Sequence, residues 1–489
     1  MNFIAPLLDF DKLPSVMVDE VGLIRKSVGE KARRHGLPKE SINAFLNAVQ
    51  RICEGEIGLI REHSIEPVSG LPKATELETS RGDARALIHE LAVVKLNGGL
   101  GTGMGLAGPK SLLRVKGDDT FLDLIAKQIL GFREQFGRRQ PAFYLMNSFS
   151  TQRETLSFLK RYPRLPDQNG QLDFLQSKVP KLLATNLMPA SHEADPELEW
   201  CPPGHGDIYP SLISSGLLDS LLSRGVKYLF VSNSDNLGAT VDASLLGHFA
   251  RSGAGFMMEV ARRTAADRKG GHLARRRADA RLVLRESAQC ASDEVDRFQD
   301  VDRYQYFNTN NLWIQLEQLR TELDRREGVL ELPIIRNEKP LNPRELDSPK
   351  VLQLESAMGA AIECFSRAIA VEVPRCRFSP VKTTSDLLGL WSDAYVVTAD
   401  HRLVLDPSRN GCPPVTVLDP DYFKFISDFA LRFPQGVPSM LGCEKLTVRG
   451  DVTFLGGVEC HGQICFENES GHPQIVEAGV YHDQVVRLN

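Results

Sequence analysis

Between Val93 and Lys110 the chain reads VVKLNGGLGTGMGLAGPK, an apolar strand running into six glycines within eleven residues and ending on a lysine. Glycines adopt positive φ without strain and let backbone N–H groups close around a bulky anion, while the lysine adds compensating charge. Two familiar patterns fit this loop only literally. Gly103 to Gly108 matches G-x-G-x-x-G, but its first glycine does not follow the strand directly. Pro109 and the β-like run Ser111–Val115 also replace the long helix that a dinucleotide site needs. A P-loop would place the lysine straight after its last glycine, and here Pro109 intervenes.

Three more segments carry chemistry. Trp200–Tyr209 reads WCPPGHGDIY, a rigid Pro-Pro-Gly turn that presents His205 between two glycines. Tyr228–Leu237 reads YLFVSNSDNL, so an apolar strand ends on a carboxylate, Asp235. One carboxylate is enough for Mg²⁺ carried mainly by substrate phosphates and water, although Asp235 could instead cap the following helix. Val373–Thr384 (VPRCRFSPVKTT) gathers three cations, Arg375, Arg377 and Lys382, in eight residues, an arrangement suited to a small polyanion. Lys269–Leu273, Leu284–Ser287 and Phe307–Trp313 add the carboxylate and carboxamide groups that suit sugar hydroxyls. The basic run from Arg262 to Arg277 reads as a solvated face.

These side chains need a scaffold. From about 86 to 395, short apolar runs (Leu91–Leu96, Phe143–Met146, Tyr228–Val231, Phe256–Val260) close on Gly, Asn or Asp and alternate with helical stretches. That alternation predicts an α/β domain with a mostly parallel sheet, whose ligands sit at the carboxyl ends of the strands. Residues 1–85 read as a helical segment, with amphipathic spacing over Val21–Arg34 and Ser41–Ile60. Residues 396–489 carry short β-rich pieces ending in turns, as a small β-domain or a few solenoid rungs would.

Composition limits the function classes. The 489 residues, 42% apolar and 25% charged, predict about two to four domains at roughly 150 residues each. Lys+Arg 58 against Asp+Glu 63 gives net −5, without the basic excess of a nucleic-acid binder. No apolar stretch approaches the roughly 20 residues of a membrane span, and MNFIAPLLDFDKLP lacks the basic region of a signal peptide. Nine scattered cysteines without a C-x-x-C pair point to a reducing cytoplasmic setting rather than disulfides or structural zinc.

Taken in order, KLNGGLGTGMG…K, PPGHGDIY, FVSNSDNLGATVD, FNTNNLW and FSPVKTTSDLL resemble the eukaryotic-type UTP–glucose-1-phosphate uridylyltransferases over about Leu91 to Leu388. KGGHLAR, LRESAQC and RNEK are similar to the trypanosomatid branch, and AGPKS to the plant and animal enzymes. The resemblance implies a Rossmann-like (GT-A-like) mixed-sheet nucleotidyltransferase core, a helical N-terminal part and a C-terminal left-handed β-helix-like domain. It implies conversion of UTP and glucose 1-phosphate to UDP-glucose and pyrophosphate, reversible and Mg²⁺-dependent. Leu96, Asn97, Gly98, Gly99, Lys110, Gln176, Gly204, Asn233, Asp235 and Lys382 would meet the nucleotide, Asp235 also holding the metal. His205, Glu286, Asn308 and Asn310 would face the sugar phosphate, and Lys382, with Lys110, would be catalytic.

The implied step is coherent physically. A phosphate oxygen of glucose 1-phosphate attacks the α-phosphorus of UTP in line, and pyrophosphate leaves. The nucleophile is already anionic, so the site needs charge neutralisation and positioning rather than a general base. A broader UDP-sugar pyrophosphorylase would tend to carry an arginine in the glycine loop, which this chain lacks. A GT-A-like glycosyltransferase would show Asp-x-Asp where this chain has Asn233 and Asp235, and would leave the glycine loop without purpose. The C-terminal β-pieces offer an edge for homo-oligomer formation.

Overall fold

The computed structural model describes residues 18–77, 86–136, 140–167, 169–264, 267–345 and 347–488. The N-terminal MNFIAPLLDFDKLP and the expected boundary at residue 85 lie outside the described residues.

Helices Val18–Arg34 and Lys39–Cys53 share a small core through Ile24, Val28, Phe45, Val49 and Ile52. The second is shorter than its apolar spacing implied. It stops at Cys53 because Gly55 (φ +89°) and Gly58 (φ +70°) turn the backbone out of helix.

Ten strands build the central sheet: β1 (Ile65–Pro67), β2 (Leu91–Asn97), β3 (Ala142–Asn147), β4 (Asp173–Leu175), β5 (Tyr228–Asn233), β6 (Phe256–Arg262), β7 (His272–Arg276), β8 (Leu282–Arg285), β9 (Tyr306–Gln315) and β10 (Ala368–Glu372). β4, β3, β2 and β5 are parallel neighbours in that order. The long β9 then runs antiparallel to β5 on one side and β6 on the other, while β10 adds to β6 in parallel. The sheet is therefore mixed rather than mostly parallel. The reason is β9, whose direction no local pattern encodes.

Alternation along the strands feeds two buried faces. Val93, Phe143, Phe230, Met257 and Trp313 enter one core, and Val94, Tyr144, Val231, Met258 and Leu312 the other. A strand covered on both sides reads as an unbroken apolar run, which is how these strands appear in the sequence. At Glu259/Val260 the register against β9 slips, and Asn310 takes a left-handed conformation (φ +58°). The resulting bulge leaves Asn308 and Asn310 partly exposed while Thr309 and Asn311 stay buried.

The chain ends in parallel rungs. Strands Val415–Leu418, Ser439–Arg449 and Val458–Asn468 stack in that order, and Gly479–His482 and Val485–Leu488 both pair with Val458–Asn468. Their inward residues Leu446, Val448 and Phe466, with Phe454 of the short strand Val452–Phe454, join the same apolar cluster as Val93 and Phe230. All nine cysteines are free thiols. Among the described residues, no helix is long and apolar enough to cross a membrane.

Removing residues 439–489 strips Phe454 from the Phe433 ring it stacks on at 5.2 Å and opens that shared core. Losing one large core aromatic alone costs about 3–5 kcal/mol. The truncated chain is expected to show a lower thermal midpoint and altered solubility or mass first, with activity falling as the folded fraction falls. Turnover, thermal midpoint and mass measured together check this; a stable, unchanged-mass truncation without activity would place the C-terminal rungs in the chemistry.

Candidate active site

The glycine loop leaves β2 at Asn97, whose amide is locked inward. Asn97 Nδ2 donates to Asn147 Oδ1 (2.7 Å) and Thr155 Oγ1 (2.9 Å), and Ser234 Oγ donates to Asn97 Oδ1 (3.2 Å). Its side chain anchors the root of the loop, so only its backbone is left to face outward with the glycines. Leu96 packs partly buried against the core, leaving Gly98 and Gly99 as the open backbone. Gln176 lies across Gly98, where a Cβ would stand 2.8 Å from its Oε1, and its Nε2 donates to Gly204 O (2.8 Å). Gly98, Gln176 and Gly204, far apart in sequence, therefore meet.

Lys110 closes the loop. Its backbone N–H returns to Gly99 O (3.0 Å), and its ammonium donates to Asp235 Oδ2 (2.6 Å) and to the Val381 carbonyl. Asp235 follows Asn233, which ends β5 at the carboxyl edge of the sheet; Asn233 and Asp235 are both partly exposed. Asp235 is no helix cap. That task falls to Asp242, whose Oδ1 accepts from Ser244 N (2.8 Å) and Leu245 N (3.0 Å) at the start of helix Ala243–Ser252.

The three cations of the 373–384 segment have different fates. Arg375 is held by both oxygens of Asp267 (2.7 and 2.9 Å). Arg377 is buried in a bidentate pair with Glu259 (both 2.7 Å). Lys382 is exposed, its backbone N–H held by Asp386 Oδ2 (2.8 Å), which also takes the Thr383 N–H (2.8 Å) in capping helix Thr384–Trp391. Its charge reaches Glu286, whose carboxyl burial pushes up and Lys382 pulls back. So the segment holds one available cation, not three. The basic run after Arg262 is likewise only partly solvated, since Arg263 is buried and donates to the Phe298 and Tyr304 carbonyls.

On β9, Asn308 Nδ2 donates to Asn310 Oδ1 (2.7 Å), and Asn310 N to Asn308 Oδ1 (2.9 Å). The β9 bulge thus pairs two carboxamides on one face. His205 Nδ1 accepts from Met358 N (2.9 Å). A backbone amide can only donate, so the imidazole proton must sit on Nε2, the nitrogen left free for a ligand oxygen. Two residues on, buried Asp207 accepts from Ser177 N (2.7 Å) and Ser211 Oγ (2.8 Å) and so fixes the peptide that carries Gln176.

Several residues given no role from sequence hold this frame. Buried Lys95 donates to Ser232 Oγ (2.8 Å) and Ala239 O (2.7 Å), and burial lowers its ammonium to about 7. Glu259 is a lone carboxylate in an apolar strand, itself a signal of a buried partner. Phe425 packs against Gly105, where a Cβ would stand 2.9 Å from Cδ1, so a residue beyond Thr384 touches the glycine loop.

His205 and Asp207 give a pH test. Burial lowers the His205 imidazole from 6.5 to about 4 and raises the Asp207 carboxyl from 3.8 to about 7. As pH falls through about 6.5 to 4, the unfolded chain protonates His205 first, which removes stability. Over nearly the same window the folded chain protonates Asp207 first, which adds it. The two trends oppose, so a melting curve would hide both and a site-resolved probe is needed. Imidazole ¹⁵N shifts are expected to show His205 neutral and protonated on Nε2 from pH 8 to 5; an imidazolium signature at pH 6 would remove this assignment.

The arrangement is a glycine-rich loop, a carboxylate tied to a lysine, a lysine that has no ion-pair partner among the described residues, and paired carboxamides. A family model for UTP–glucose-1-phosphate uridylyltransferase matches residues 42–461. The potato enzyme of that name is 39% identical over 473 residues, covering 95% of this chain and 93% of its own. The Saccharomyces cerevisiae enzyme is 42% identical over 402 residues, 82% of this chain and 78% of its own. Among solved structures, the UDP-glucose phosphorylase of Trypanosoma brucei is 48% identical with a TM-score of 0.87, covering 95% of this chain and 100% of that one. A single-residue variant of Leishmania major UDP-glucose pyrophosphorylase in complex with UDP-glucose is 42% identical with a TM-score of 0.90, over 97% and 100% of the two chains. With sequence, fold and loop order all in agreement along nearly its whole length, this chain belongs to the UTP–glucose-1-phosphate uridylyltransferase family.

Proposed function

We propose that this chain uses the Lys110–Asp235–Lys382 centre to convert UTP and α-D-glucose 1-phosphate to UDP-glucose and pyrophosphate, reversibly. The observation that carries the assignment is the contrast among the cations that the glycine loop and the 373–384 segment bring to the centre. Arg375 and Arg377 are neutralised and Lys110 already meets Asp235, so Lys382 is the charge left to answer a developing phosphate charge.

In this reading the amides of Gly98 and Gly99 cradle the nucleotide, with Gln176 and Gly204 on its uracil side. His205 donates from Nε2 to a phosphate oxygen, and Glu286, Asn308 and Asn310 take the glucose hydroxyls. The new bond joins the sugar-phosphate oxygen to Pα as the Pα–O bond to pyrophosphate breaks, with no proton transferred. Asp235 is the residue that would hold Mg²⁺. Among the described residues no group of three or more His, Cys, Asp or Glu is poised around an ion, which suits a metal carried largely by phosphate and water. When bound, Mg²⁺ supplies charge neutralisation to the polyphosphate.

The same reading divides the chain at about 85 and 395 into helical, catalytic and left-handed β-helix-like parts, acting in the cytoplasm. Exposed Ile475, Val480 and Val485 on the last rungs support homo-oligomer formation through the C-terminal part. Pyrophosphate should appear from UTP only when glucose 1-phosphate is added. Galactose 1-phosphate should be a poor substitute, because an epimer leaves buried hydrogen-bonding groups unpaired. Comparable kcat/KM for the two sugars would favour a broad-specificity UDP-sugar pyrophosphorylase.

Lys382→Ala is expected to lower kcat by about 10²–10³, the cost of losing one transition-state charge contact, with the fold intact. Near-parental turnover in a folded variant would take Lys382 out of the chemistry.

A further inference from the structure

Lys382 lies on an exposed stretch, yet a transition-state contact requires placement well within an ångström; a misplacement of about 1 Å can cost about 10²-fold. Something must hold the stretch. The residues just before it are pinned far more tightly than a surface loop requires. Arg377 Nε and Nη2 each donate at 2.7 Å to a different oxygen of Glu259, which is fully buried on β6. Glu259 also accepts from Asn311 Nδ2 (3.0 Å) and Trp313 Nε1 (2.9 Å), so the carboxylate cannot swing. Arg377 Nη2 further donates to Thr240 O (2.9 Å).

Those contacts press residues 376–380 onto the 236–240 turn that directly follows Asp235. Asn236 Nδ2 donates to Arg377 O (3.0 Å), and Ser379 N donates to Asn236 Oδ1 (3.0 Å). A side chain at Gly238 would collide with the Cys376 carbonyl, which occupies that space. The turn bearing Asp235 and the segment bearing Lys382 thus form one unit. Lys110 bridges it at the top, from Asp235 to Val381 O.

Stability alone is a poor explanation for this pair. A buried ion pair is commonly no more stabilising than apolar residues of the same volume, whereas removing one partner is strongly destabilising. What apolar residues could not supply is a fixed distance and direction. We propose that the Arg377–Glu259 pair is a positioning clamp that sets where Lys382 stands relative to Asp235 and Lys110. The inference rests on the catalytic role assigned to Lys382 above.

The test is Arg377→Lys, which keeps the charge but loses the fork that binds both carboxylate oxygens. Glu259→Gln is the second variant, keeping shape while losing charge. Each is measured by thermal midpoint, by kcat and KM in both directions, and again on the Lys382→Ala background. The clamp predicts that a folded variant loses about 10- to 100-fold in kcat with KM for UTP little changed, within the range that misplacement of a catalytic group costs. It also predicts that adding either substitution to Lys382→Ala costs almost nothing more. A folded Arg377→Lys with parental kcat overturns the clamp, as does an equal loss on the Lys382→Ala background, since the pair would then act independently of Lys382. If Lys382→Ala itself keeps parental turnover, the catalytic reading fails first and the clamp fails with it. That outcome is distinguished by the single variant alone.

Discussion

The ammonium of Lys110 is where separate parts of this chain become one site. It touches Asp235 just past the end of β5 and Val381 before Lys382, while its own backbone closes the glycine loop on Gly99. Without it, the glycine loop would lose its side-chain tie to the strand end and to the 376–381 segment, which are held to each other separately through Asn236 and Arg377. The contact is partly shielded, with the lysine side chain 16% exposed and the carboxylate 21%. At such a boundary a charge pair is stronger than in bulk water, yet still open to exchange with an incoming phosphate.

Beneath that contact the sheet supplies rigidity. Parallel β2 and β5 bring Asn97 and Asn233 to the same edge, and Lys95 ties the turn after Asp235 back to β5 through Ser232. Antiparallel β9 brings its bulge alongside, presenting Asn308 and Asn310. The groups proposed to face nucleotide and sugar therefore arise from strands of opposite direction in one sheet. The mixed topology, unexpected from the apolar runs, is what allows one edge to carry both.

Much of this was legible in the sequence because it is written locally. The runs at Leu91, Phe143, Tyr228 and Phe256 are apolar because both faces of their strands are covered, and each forms the strand expected of it. The glycine loop was legible because such glycine density has few structural uses. Pairing across distance was not. Nothing near Arg377 shows that its partner is Glu259, and nothing near Arg375 points to Asp267. Three clustered cations therefore read as three available charges. Capping likewise stays open as an alternative for Asp235 in the sequence, until the structure shows Asp242, further along, at the start of the helix. The end of the second helix at Cys53 is hidden in the sequence for a subtler reason. Apolar spacing continues through Ile57 and Ile60, but positive φ at Gly55 and Gly58 overrules it.

The separate fates of the lysines bear on how such a site could discriminate between bound substrates and the transition state. A cation already paired in the free protein gives an arriving phosphate only the difference between its new and old partners. Lys110, engaged by a carboxylate and a carbonyl, is therefore as much a strut as a charge. Among the described residues, Lys382 has no such prior engagement beyond the reach of its field to Glu286. Only interactions stronger in the transition state than in the bound substrates raise kcat. A charge held in reserve and aimed by a rigid buried framework meets that requirement; the same charge on a loose loop would be spent on binding either polyanion as it arrived.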